Sequence, residues 1–153
     1  MEQARLEDHK PALTLHRKFA VAPEKVWRAW TEPQALRQWF GPAGEQQPVS
    51  VADIDLRVGG RFRLVFGGPD GNEHEAAGVY KEVQPHRELV FSWCWPRTTP
   101  DRVSQITILL SAEAGGTDME FRQEQFFDQA ARDGHERGWT VTFGKLEVFL
   151  RQA

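Results

Sequence analysis

Apolar residues recur on two different periods along this chain. From Asp128 to Leu150 the period is helical: Trp139, Phe143, Leu146 and Leu150 fall at i, i+4, i+7 and i+11, one stripe on a 3.6-residue repeat. Asp128 fits an N-cap, its carboxylate accepting from N–H groups that the first turn leaves unpaired. Gly134, Gly138 and Gly144 each cost up to about 1 kcal/mol against Ala in a helix interior. Such glycines are either merely tolerated or let a backbone or ligand come close.

Most of the remaining chain alternates. Leu13, Leu15 and Phe19 interleave with Thr14, His16 and Lys18, a first strand interrupted only by Arg17. Pro23 then opens a short helix that buries Val26, Trp27 and Trp30. Thr31 to Gln34 has the spacing of a capping box and starts a second helix carrying Leu36, Trp39 and Phe40, which Gly41-Pro42 stops. Pro48 to Arg57 reads as strand, with an apolar parity change between Val51 and Ile54 that predicts a bulge near Ala52. Gly59-Gly60 predicts a tight hairpin. Phe62, Leu64 and Phe66 share one strand face. The stretch 67–72 is a loop, and His74 to Val83 is a strand. Leu89, Phe91, Trp93 and Trp95 share one face of the next strand. Pro96 to Pro100 reads as loop, Val103 to Leu110 and Met119 to Phe127 as the last two strands. The order is β-α-α-β6-α, an α+β chain whose antiparallel meander has one face free to pack on the long helix.

A chain of 153 residues suits one domain, with residues 1–11 a flexible tail and 12–153 the folded unit. That length buries about 70% of the unfolded surface, enough for a core without disulfides. Nineteen basic against 22 acidic residues give a net charge of −3, which argues against nucleic-acid or anionic-membrane partners. The single cysteine, Cys94, fits a reducing, cytoplasmic setting. The polar first ten residues do not form a signal peptide, and no apolar run reaches the ~20 residues of a membrane span. Monomer and homodimer both remain open.

Several segments together resemble the activator-of-heat-shock-chaperone-ATPase-like family of the SRPBCC (START-like, helix-grip) superfamily. They are Ala22–Phe40, Arg57–Phe62, Gly78–Tyr80, Pro85–Trp93, Gly115–Thr117 and His135–Trp139, in the order that family shows. The resemblance spans about residues 12–150. It implies a curved antiparallel sheet around the C-terminal helix. Superfamily relatives bind lipids, steroids, hormones or polyketides, and some cyclise or dehydrate polyketides. The resemblance transfers no catalytic residue set, and the chain leaves no room for the extra domain that accompanies chaperone activation in eukaryotic relatives.

Catalytic signatures do not hold up residue by residue. G-x-S-x-G, Walker A and G-x-G-x-x-G are missing, and His74-Glu-Ala-Ala-Gly78 has Gly where a zinc protease needs its second His. One Cys and five scattered His argue against a metal site, and no cofactor is implied. Asp53 and Asp55 share a face, where paired carboxylates could act as acid and base, but burying them unpaired would be expensive, so both are expected to face water. Glu120, Arg122 and Glu124 read as a solvated ladder. Cys94, between Trp93 and Trp95, points to the opposite strand face and reads as an inert thiol. His135 would be the best general base if it faced a cavity; a helix-surface or capping histidine is the commoner outcome.

The aromatic residues are the remaining signal: 6 Trp and 10 Phe can fill a core, as many of them must, or line an apolar cavity. Trp39, Phe40, Phe62, Leu64, Phe66, Phe91, Trp93, Trp95, Trp139 and Phe143 are the candidate ligand-binding set. Such a lining, with few convergent polar groups, describes a binding site for a small hydrophobic or amphipathic molecule better than a catalytic one. The rivals are a cyclase or dehydratase using His135, Asp53 or Glu124, and a chaperone-interacting module with an exposed apolar patch.

Overall fold

The computed structural model describes residues 10–41, 49–68 and 70–152. The elements are β1 (Leu13–Phe19), α1 (Pro23–Thr31), α2 (Pro33–Trp39), β2 (Val51–Ile54), β3 (Arg61–Gly67), β4 (Glu73–Gln84), β5 (Glu88–Trp95), β6 (Thr99–Glu113), β7 (Gly116–Glu124) and α3 (Gln129–Arg151). The seven strands form one sheet in the order β1-β7-β6-β5-β4-β3-β2. Every neighbouring pair is antiparallel, so β2 to β7 run as a meander and β1 closes the far edge against β7. This is the β-α-α-β6-α order that the hydrophobic pattern predicts. Of the N-terminal tail expected over residues 1–11, residues 1–9 lie outside the described residues.

The meander has one inner face. Phe62, Leu64 and Phe66 of β3, Leu89, Phe91 and Trp93 of β5, and Met119 and Phe121 of β7 are all buried on it. The long helix lays Trp139, Phe143, Leu146 and Leu150 over that face. Asp128 caps it by accepting from Ala131 N at 2.8 Å. Arg17, the odd residue of β1, extends its guanidinium over the Phe143 ring at 5.7 Å, so an inward cation is held on an aromatic face.

Three local readings are corrected. The capping box at Thr31 does not form: Glu32 is the N-cap residue of α2 with no side-chain cap bond, and the Thr31 hydroxyl donates back to Trp27 O at 2.8 Å. The two short helices are instead locked by Trp39 Nε1, which donates to Ala29 O at 2.9 Å. The bulge expected near Ala52 is absent. Val51 to Ile54 pair with Val65 to Phe62 in unbroken register, with Ala52 buried and Ile54 packed beside it on the core. The residues before Val49, where that strand was expected to begin, lie outside the described segments. Register breaks occur elsewhere, between Tyr80 and Glu82 on β4 and between Trp93 and Trp95 on β5. At the second, Trp93 pairs with Ser104 and Trp95 with Thr99, so Cys94 alone stands opposite residues 100–103. That large bulge explains why Pro100 is found in a strand rather than a loop: its missing N–H falls where the ladder is already broken.

The β2–β3 hairpin turns at Gly59 with φ +86°, and a Cβ on Gly60 would sit 2.0 Å from Asp55 O, so the turn needs both glycines.

Sheet and helix are pinned by a buried polar relay. Trp139 Nε1 donates to Gln123 Oε1 at 2.8 Å, and Gln123 Nε2 donates to Ser104 Oγ at 2.9 Å. Gln123 is fully buried. Gln123→Leu is expected to cost about 1–3 kcal/mol, because it strands the Trp139 donor. Adding Trp139→Phe removes that donor, so the double variant should lose less than the sum of the singles; urea unfolding of the four-member cycle measures the coupling.

Candidate ligand-binding site

A cavity of about 300 Å³ lies between the sheet and the N-terminal half of α3. One wall is aromatic: Phe40 from the end of α2, Phe66 from β3, Trp93 and Trp95 from β5, and Trp139 from α3. These rings brace one another, edge to face for Phe40–Phe66 and Trp93–Trp95 with centroids 5.2 and 5.4 Å apart, and tilted for Trp93–Trp139 at 5.3 Å. The other wall is bare helix. Ala130, Gly134, Gly138 and Thr142 recur every four residues along α3 and all border the space. A Cβ on Gly138 would meet nothing within 4 Å, so the cavity exists partly because this position carries no side chain. Gly144, the third helical glycine, is exposed and away from the cavity.

Of the ten candidate residues, Phe40, Phe66, Trp93, Trp95 and Trp139 border this cavity. Trp39, Phe62, Leu64, Phe91 and Phe143 do not. They are buried in the core, where Phe62, Leu64 and Phe91 meet at a void of only about 20 Å³. Parity along a strand gives the face, but it does not say whether α3 glycines or the tryptophans of α1 and α2 stand opposite. The small residues of α3 and Gly41 are lining positions that the aromatic pattern does not reveal. Their signal is the i, i+4 spacing of Ala130, Gly134 and Gly138.

His135 departs from the surface or capping role expected of it. It lies in the cavity wall. Nδ1 is 2.7 Å from Ala131 O, and Trp95 Nε1 donates to Nε2 at 3.1 Å. A carbonyl can only accept and an indole N–H can only donate, so the ring is the neutral tautomer with its proton on Nδ1. Both nitrogens are committed, which leaves no free lone pair for base chemistry. Burial pushes the His135 pKa down, and the Ala131 hydrogen bond offsets this in part.

The other carboxylate candidates are elsewhere. Asp53 is exposed on β2 with Arg63 3.7 Å away. Glu124 ion-pairs with Arg122 at 3.5 Å, and alternates with buried Gln123 on β7, so it lies on the outer face. His74 is 3.0 Å from Asp70, and the Glu75 carboxylate is shared by Arg63 and Arg97 at 3.0 and 2.9 Å. Cys94 sits on the outer face, where burial pushes its thiol pKa up. Among the described residues, no three His, Cys, Asp or Glu side chains group as metal ligands.

A curved antiparallel sheet gripping a C-terminal helix, with a ring-lined cavity between them, defines a helix-grip α+β protein. The chain belongs to the family described as activator of Hsp90 ATPase homolog 1-like protein, whose model matches residues 20–151. Solved structures agree. A Chromobacterium violaceum protein is 26% identical with TM-score 0.82, covering 93% of this chain and 98% of its own. A Nitrosomonas europaea protein is 31% identical with TM-score 0.77, covering 92% and 94%. The AHSA1 protein of Silicibacter pomeroyi is 28% identical with TM-score 0.78, covering 92% and 98%. A comparison with curated proteins gives no match. No described helix is long and apolar enough to cross a membrane.

The state of His135 gives a pH dependence of definite sign. Above the ordinary histidine value of 6.5, folded and unfolded chains are both neutral there and the contribution is whole. As pH falls from 6.5 toward the lower folded value, the unfolded chain takes up the proton first and stability is lost, by at most about 1.4 kcal/mol per pH unit. His135→Gln keeps an acceptor for Trp95 and should lose less stability between pH 7 and pH 5. Urea midpoints of the two proteins across that range are the measurement.

Proposed function

We propose that this protein binds a small apolar or amphipathic molecule, aromatic or lipid-like, in the cavity between the sheet and α3. The observation that carries the reading is the pairing of a five-ring wall with a helix face stripped to glycine and alanine. Rings offer flat, dispersive contact, and bare helix backbone gives the volume. The volume of about 300 Å³ is at the lower end of small-molecule sites, so the ligand is compact. Most of the polar atoms bordering the space already serve one another, the Trp93 indole N–H excepted: His135 holds Trp95, and the Thr142 hydroxyl donates to Gly138 O at 2.8 Å. Such a lining holds a molecule by shape and apolar area. A cyclase or dehydratase needs a free ionisable group at the cavity, and the three candidates are either turned away or doubly bonded. A chaperone-interacting module would instead use an exposed apolar patch, which filling the cavity would leave intact.

Gly138→Leu separates these readings. A Cβ at this position meets nothing within 4 Å, the longer side chain extends from a residue that borders the cavity, and it replaces a poor helix former. Stability should rise by up to about 1 kcal/mol. Binding of the neutral dye N-phenylnaphthylamine, read by its fluorescence in titration, should weaken about tenfold or more. A variant that folds as well as the parent and binds the dye equally would overturn the cavity reading.

A further inference from the structure

A second space of about 200 Å³ adjoins the first. Trp93, Trp95, Ala131 and His135 border both, so the Trp95–His135 hydrogen bond is the partition between two chambers. Their chemistry differs. The first chamber is ringed by apolar side chains. The second is lined by Thr99, Arg102, Ser104 and Gln125 beside Phe126 and Phe127.

Arg102 is there because of the β5–β6 bulge. Residues 100–103 bow out opposite Cys94, and the guanidinium comes to rest over the Phe127 ring at 3.7 Å. That contact orients a planar fork of N–H donors without using them. Arg102 forms no ion pair with a carboxylate among the described residues, and among them no other arginine borders either chamber. No acidic side chain borders this chamber. Two further features converge on it. Gln125, at the turn into α3, holds a left-handed backbone with φ 70°, which costs a non-glycine residue energy and is retained at the chamber wall. Trp93, which walls both chambers, is 3% exposed, and its Nε1 donor has no partner among the described residues.

We propose that the ligand is an aromatic acid: a flat apolar body in the first chamber and one carboxylate carried past Trp95 and His135 to Arg102. The proposal rests on the cavity reading above and adds the charge of the ligand. A carboxylate matches the bidentate geometry of the guanidinium fork. The Trp93 N–H supplies a donor for an oxygen on the same molecule. His135 is neutral and does not compete as a cation, so Arg102 alone sets the preference for an anion.

The experiment uses pyrenebutyrate and its methyl ester, which share one aromatic body and differ by one charge. Energy transfer from the wall tryptophans to pyrene reports binding. The acid should bind about tenfold more tightly than the ester, the effect of one charge-assisted pairing. Arg102→Gln should remove that preference by weakening the acid about tenfold, with a smaller loss for the ester, whose carbonyl also accepts from the guanidinium, and Arg102→Lys should restore part of it. The preference should also weaken with salt, because the second chamber opens toward solvent. Equal affinities for acid and ester, or a preference that survives in Arg102→Gln, would overturn the aromatic-acid proposal while leaving the cavity reading standing. Failure of both probes to bind would overturn both.

Discussion

One buried amide governs the interior. Gln123 has no solvent to satisfy it, so its oxygen and nitrogen must each find a partner inside the protein. The Trp139 indole supplies the donor and Ser104 the acceptor. Apolar packing alone tolerates sliding, but a directional relay from helix to β7 to β6 does not. The same Trp139 ring forms part of the cavity wall. The width of the cavity is therefore set by a hydrogen bond on its far side.

The rest of the site inherits that rigidity. Trp139 packs on Trp93, Trp93 on Trp95, and Trp95 is held by His135, whose own position is fixed one turn back along α3. Each ring is placed by its neighbour, and the chain of contacts begins and ends on the same helix. A wall built in this way is largely formed before any ligand arrives, and the Trp95–His135 partition is the contact that a ligand spanning both chambers must displace.

Much of the fold was legible in the residues. Alternation gave the strands, the Trp139–Leu150 stripe gave the helix, and Asp128 was readable as its cap. The site was legible in part. Phe66, Trp93 and Trp95 share their strand faces with Phe62, Leu64 and Phe91, and nothing in a period of two distinguishes a ring facing a helical glycine from one facing Trp30 or Leu36. Gln123 shares the face of Met119 and Phe121, yet a polar residue at the end of an alternating run looks like ordinary fraying. The β6 bulge left one trace, Pro100, which reads more simply as loop. The capping box failed because Thr31 lies within the last turn of α1, where its hydroxyl bonds back to Trp27 instead of forward.

The ring contacts also make an optical object. Trp39, Trp30, Trp139, Trp93 and Trp95 form an unbroken series, with successive centroids 4.9, 6.1, 5.3 and 5.4 Å apart. Indoles this close pass excitation from one to the next, so light absorbed by any of the five can be emitted from another. Trp39 at the core end and Trp95 at the partition are the two terminals of the array. A quencher placed at either terminal therefore drains light absorbed by its neighbours as well, and the fluorescence of the protein reports on the series rather than on one tryptophan.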